Sequence, residues 1–330
     1  MRPSNLFIKM TFPASLLVTL SACDKDDAKI PNILVPDAVA LHQWFDSSTD
    51  ALTQHYTLNS SAEAEIIGEQ GTILQFSAND FTLLNGEPVA GNVDIELIEV
   101  YDRASMLLTK TSTNGKTEDG SISTLISGGE FYVNAKQDGA QLKLKSGFTI
   151  IAPTENTSTI NQDMTKFDGI NNCEGDDCDL VWEEADDRGI EIGEWQTAGG
   201  VKTVYYVFQN KFGWTNIDRW YSDPRPKTTI FVDVPEGFDN TNCAVYMMYD
   251  GEPAALASFD VYDQDEKLFT EHYGLIPVGL EVHFILVSMI EDEIHYAIQD
   301  ATITENHVEV IDAVKAISEE ELIDLIYELP

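Results

Sequence analysis

Val93-Asp94-Ile95-Glu96-Leu97-Ile98-Glu99-Val100 decides the fold class. Apolar and acidic side chains alternate along it, the period of a strand with one dry face and one wet face. Downstream, Phe131-Tyr132-Val133-Asn134-Ala135 and Leu142-Lys143-Leu144-Lys145 alternate in the same way. Gly71-Thr72-Ile73-Leu74-Gln75-Phe76 opens the run and Phe148-Thr149-Ile150-Ile151-Ala152-Pro153 closes it. Asn85-Gly86 is a turn signal, and Asn114-Gly115 and Gly128-Gly129 are expected to punctuate the middle. Short strands at this spacing, with no helical period between them, predict a β-sandwich or a barrel over residues 61–153, and the sandwich is the reading carried forward.

Working outward, residues 154–194 are rich in Asn, Asp, Glu and Gly. They read as an acidic connector, with Phe167 and Trp182 as the apolar contacts that hold it down. A second β domain is expected over residues 195–330. Its hairpin joins 280–289 to 294–298 through Glu291-Asp292-Glu293, a register that keeps His283 and His295 out of opposition. Ser318 with Glu321 three residues on is a capping box, and Ile317 with Leu322 suits a hydrophobic staple. Leu322, Leu325, Ile326 and Leu329 form one stripe of a terminal helix, with Glu320, Asp324 and Glu328 facing solvent. The expected class is mainly β: two β-sandwich-like domains, an acidic connector and a short C-terminal α-helix.

The N-terminus has the parts of an export signal. Arg2 and Lys9 give a positive start, and Met10 to Leu20 is apolar but too short to span a bilayer. Leu20-Ser21-Ala22-Cys23 follows, and it resembles the lipobox of bacterial lipoproteins. The resemblance implies cleavage of a signal peptide at 1–22 and acylation of Cys23. Stable membrane anchoring takes two or more acyl chains. Residues 23–60 then read as a lipidated tether, with Pro31 and Pro36 discouraging regular structure and Leu41, Trp44 and Phe45 available to dock onto the first domain. Asp24-Lys25-Asp26-Asp27 resembles the export tag of Bacteroidetes lipoproteins, which implies the outer membrane and a cell-surface position.

Formal net charge is −38, and losing Arg2 and Lys9 with the signal makes it more negative still. Such a surface repels nucleic acid and anionic lipid, so neither is expected as a partner. Cys23 is assigned to lipid. Cys173 and Cys178 bracket a short loop, and their spacing permits a disulfide in an oxidising compartment. Cys243 reads as a buried strand residue.

Gly71-Thr72, Val89-Ala90-Gly91-Asn92-Val93, Glu96-Leu97-Ile98-Glu99-Val100, Met106-Leu107-Leu108 and Ser127-Gly128-Gly129-Glu130-Phe131-Tyr132 occur in that order. They resemble a group of uncharacterised Bacteroidetes cell-surface lipoproteins with a ZU5-like, secreted β-sandwich module. The resemblance implies a fold and a location, and brings no catalytic residues with it.

Candidate chemistry is sparse. Trp214, Asp218, Arg219, Trp220 and Tyr221 form an aromatic and charged cluster. It reads either as a platform for a glycan or as core packing with a pinned loop. Asp176, Asp177 and Asp179 are weak calcium ligands, since they lack the regular loop spacing of a calcium-binding site. No cofactor is otherwise expected. His272, His283, His295 and His307 are isolated, and no serine elbow, metal-histidine motif or phosphate loop occurs. The expected role is non-catalytic, binding or structural at the envelope, with a glycan or an envelope protein as partner. The alternative is a carbohydrate-active or peptide-processing enzyme of unrecognised type.

Overall fold

Strands dominate the protein, as the alternation in 93–100 implies. The computed structural model describes residues 35–157, 160–174, 177–186, 189–197, 199–271 and 274–330, with backbone alone for 172–174 and 177–178. Residues 1–22, expected to be a signal peptide, lie outside them, as do Cys23 and Asp24 to Asp27.

Asn92–Val100 pairs with Gln54–Asn59 on one side and with the long strand Ile122–Gln137 on the other. Gly213–Trp220, Thr165–Glu174, Asp177–Glu184 and Asn114–Lys116 continue this large sheet. A five-stranded sheet, in the order Ile190–Thr197, Gly200–Gln209, Phe148–Pro153, Ile73–Phe76 and Ala64–Ile67, packs against it. Val93, Ile95, Leu97, Phe131 and Val133 meet Leu74, Phe76, Ile150, Tyr205 and Val207 between the two layers. Inward-facing residues at every second position make the sandwich that the sequence predicts.

Strand pairing moves the expected boundaries. The acidic connector is not a linker: Thr165–Glu174 and Asp177–Glu184 form a hairpin of the large sheet, and Ile190–Thr197 edges the small one. Phe167 and Trp182 are indeed fully buried. Residue 195 does not open a second domain, because Gly200–Gln209 and Gly213–Trp220 complete the first sandwich. Asn-rich, acidic composition mimicked a linker here because these strands keep a wet face. Nor are Asn114-Gly115 and Gly128-Gly129 turns. The first lies in a strand, and the second is a bulge inside an unbroken one.

The tether also ends sooner than residue 60. Helix α1 (Ala38–Leu52) starts at Asp37, whose carboxylate accepts from the amides of Val39 and Ala40. Leu41, Trp44 and Phe45 join a cluster with Ile98, Val100 and Leu107 of the first domain, as expected, and also with the C-terminal half of the molecule. That half holds a five-stranded sheet, Leu256–Ser258, Cys243–Tyr249, Glu281–Ile290, Glu293–Thr302 and Lys315–Ile317. A four-stranded sheet accompanies it, in which His307–Val310 runs parallel to Ile230–Asp233. The hairpin has the predicted register, with Ser288 opposite His295 and His283 opposite Asp300. Cys243 is buried in its strand.

Helices α2 (Arg103–Thr109) and α3 (Glu319–Glu328) complete the layer with α1. The capping box at Ser318 and Glu321 is present. Leu322 and Ile326 are buried, and Leu325 is only half-buried. Apolar side chains of all three helices join Ile98 and Val100 of the large sheet to Met248, Ile285 and Val287 of the C-terminal sheet. Residues 35–330 are accordingly one compact unit, with two β bodies that share a core.

Candidate functional site

Asn114–Lys116 pairs with both Asp177–Glu184 and Ile122–Gln137. The strands Ile122–Gln137, Gly213–Trp220, Thr165–Glu174, Asp177–Glu184 and Asn114–Lys116 therefore close into a circuit. Leu125, Phe167 and Trp182 are buried together on these strands, with Trp214 and Trp220 partly buried against them.

Each residue of the predicted cluster has a distinct place. Trp214 is packing: its ring lies 5.4 Å from Tyr132 and meets the Trp182 ring edge-on at 6.2 Å. Trp182 in turn donates from Nε1 to the Ser112 carbonyl at 2.8 Å. Asp218 is fully buried. Arg219 reaches Glu252 at 3.5 Å. Trp220 and Tyr221 alone line open hollows. The structure thus splits the cluster between core and surface.

Trp220 borders an open groove of about 810 Å³. Its ring sits over Gly115, where a Cβ would come within 2.8 Å of the indole, and it meets the Phe167 ring edge-on at 5.5 Å. Glu118, Asp168, Glu183 and Asp186 share the wall with Lys116. Register explains the acid density: Asp168 stands directly opposite Glu183, and Glu183 opposite Lys116. Like charges opposed across strands are unfavourable. Lys211, 3.0 Å from Asp168, relieves part of that repulsion. At the rim, hydrogen bonds from Ser121 and Thr117 hold the exposed Asp119 carboxyl down at about 2. A second hollow of about 250 Å³, lined by Tyr221, Asp223 and Lys227, adjoins the groove through Ser123 and Leu275. Hydrogen bonds from Arg225 clamp Asp223 and hold its carboxyl well below the usual range.

Sequence reasoning missed Asp168, Glu183 and Asp186 as groove acids because it placed them in a linker. The available signal was Asp168 and Glu183, which a hairpin sets opposite one another. It singled out Asp218 but missed the buried group that Asp218 forms with Glu130. Glu130 and Asp218 are both fully buried, and Asn216 Nδ2 donates to Asp218 Oδ2 at 2.7 Å and to Glu130 Oε1 at 3.4 Å. Burial pushes both carboxyls well above the ordinary range, and the neighbouring Asp218 adds to this at Glu130.

Of the weak calcium ligands, Asp176 and the side chain of Asp177 lie outside the described residues, and Asp179 is half-buried opposite Asn172. Cys173 and Cys178 are paired by backbone register, and their side chains lie outside the described set. His272 does as well. Two of the other histidines have carboxylate partners: His283 Nδ1 is 2.8 Å from Asp250, and His307 Nε2 is 3.1 Å from Glu309. Among the described residues no three His, Cys, Asp or Glu side chains converge as a metal cluster, and no helix is long and apolar enough to cross a membrane. No protein-family model matches the chain, and no curated protein is detectably similar to it.

Proposed function

We propose that this is a lipid-anchored outer-membrane protein, exposed at the cell surface, that holds a neutral glycan in the groove beside Trp220 without transforming it. The observation that carries the reading is a partly exposed indole surrounded by carboxylates. An aromatic face stacks on the C–H face of a sugar ring, and carboxylates accept hydrogen bonds from its hydroxyls. The acidic wall selects against anionic polymers. Leu20-Ser21-Ala22-Cys23 supports the anchor. Acyl chains on Cys23 hold the chain to the bilayer, and residues after Cys23 lead to the body that starts near Val35.

Binding of the detergent-solubilised full chain to an array of neutral and anionic glycans tests the ligand. Neutral glycans are expected to bind, and Trp220→Ala to weaken them roughly tenfold, the equivalent of about 1.4 kcal/mol of ring stacking. Equal binding by the variant, or binding to no neutral glycan, refutes the site. For the anchor, Cys23→Ser is expected to leave the membrane fraction. Retention of that variant through a salt wash counts against acylation.

A further inference from the structure

The buried group of Glu130 and Asp218 begins with a bulge. Ser127 pairs with Asp218 and Glu130 pairs with Asn216, so one extra residue of Ile122–Gln137 is accommodated between them. Gly129 takes φ +129°, and a Cβ there would come within 2.8 Å of the Tyr101 and Phe131 rings. The bulge brings Ser127 and Glu130 together on the side of Asn216 and Asp218. Ser127 Oγ donates to Asn216 Oδ1 at 3.0 Å and accepts from the Gly129 amide at 3.0 Å. Thr111 and the Gly128 amide also lie within reach of the two carboxyls.

Two oxygens are left over. Glu130 Oε2 and Asp218 Oδ1 are buried and have no hydrogen-bond partner. A buried carboxylate oxygen without a partner keeps its full desolvation penalty, which a cation or a proton would offset. No basic side chain hydrogen-bonds to either carboxyl among the described residues; Arg103, the buried guanidinium of the helix layer, donates instead to the carbonyls of Leu329 and Pro330. The oxygens at hand are those of two carboxylates and of the Ser127 and Thr111 hydroxyls; Asn216, whose NH2 faces both carboxyls, adds its oxygen only with the amide turned over. Hard cations prefer such a set, and two carboxylates neutralise one divalent ion, which is what a fully desolvated site requires. A closed site also favours calcium over magnesium, because magnesium sheds its water reluctantly.

We propose that Glu130 and Asp218 hold one calcium ion, taken up as the chain folds, that fastens the bulge of the large sheet. The site is enclosed, so exchange requires opening of the fold.

The test uses the full chain in detergent, unfolded and then refolded in calcium, magnesium, sodium or a chelator. Bound metal is counted by elemental mass spectrometry after dialysis, and the thermal midpoint is recorded. One calcium per chain and a higher midpoint in calcium than in the other three are expected. In Glu130→Gln/Asp218→Asn, dialysis-resistant calcium and the calcium response should both vanish. Wild-type protein that retains no calcium and melts alike in calcium and chelator overturns the proposal, and the pair then holds a proton. A calcium response that survives in the double variant also overturns it, because the ion then sits elsewhere on this acidic surface. An equal response to magnesium or sodium removes the assignment to calcium. Should the double variant not fold, wild-type metal content and Ser127→Ala, with weaker calcium retention expected, decide the matter.

Discussion

Gly115 shows how one side chain that is missing shapes the groove. A methyl group there would lie 2.7–2.8 Å from Leu125 and the Trp220 indole, so the backbone itself is the floor on which the indole rests. Gly115→Ala should cost ~1–3 kcal/mol by overpacking and should shift Trp220 fluorescence, both read in one denaturant titration. An unchanged emission and midpoint would mean that the indole is not seated on that strand. Asp119 makes a separate case at the rim. Its carboxyl is held down to about 2 by Ser121 and Thr117, so its folded value is below the unfolded one. Whatever order it lends the rim is present above the unfolded value near 4 and lost as the pH falls through about 2. A carboxyl NMR titration should find its midpoint near 2, whereas a midpoint near 4 would show those hydrogen bonds absent in solution. Neither feature was legible from residue types. Asn114-Gly115 reads as a turn in one dimension, and only the tryptophan brought in from a strand a hundred residues later explains the glycine.

Elements were legible where one face is wet. Asn92–Val100 announces itself by alternation, and α3 by its capping box and acidic face. Helix α2 was not, because all of Arg103–Thr109 is buried and a helix that is covered on every side shows no 3.6-residue period. Met106-Leu107-Leu108 therefore passed as part of a β pattern. In α3 the stripe was one residue too wide, since Leu325 is half-buried beside Tyr296 and Lys315 whereas Ile326 faces the shared core. Ile326→Ala should cost ~2–4 kcal/mol, and Leu325→Ala distinctly less. Ser318→Ala should cost about 1 kcal/mol through the lost cap. Equilibrium unfolding ranks them, and a Leu325 effect equal to that of Ile326 would put the helix in a different rotation. The hairpin bearing Cys173 and Cys178 offers another check. Directly opposed residues of an antiparallel pair have Cα atoms about 4.5–5.5 Å apart, inside the range a disulfide spans. Unreduced protein should accordingly show both thiols blocked to alkylation, and two free thiols would rule the bridge out.

At the scale of the whole molecule, what the sequence hid was distance along the chain. Gly213–Trp220 slots in beside Ile122–Gln137, and α1 lies against a strand that ends at Ile290. Local periodicity carries no record of such pairings, so a stretch of strands dense in acids was cut into a connector and a second domain. The shared core makes a different expectation about stability. Leu107, fully buried on α2, sits among residues of both β bodies, and Trp44 of α1 donates to Glu319 of α3 at 2.6 Å. Neither body can expose its side of that core without exposing the other's. Unfolding should then be one cooperative transition, with the same midpoint by tryptophan emission, to which Trp182, Trp195, Trp214 and Trp220 of the first body contribute, as by exchange of amides in Glu281–Ile290 of the second. Leu107→Ala should lower both midpoints together, by ~2–5 kcal/mol of stability. Two separated transitions, or a Leu107→Ala effect confined to one probe, would mean that the helix layer bridges the bodies without coupling them, and the division into two domains would have to be restored.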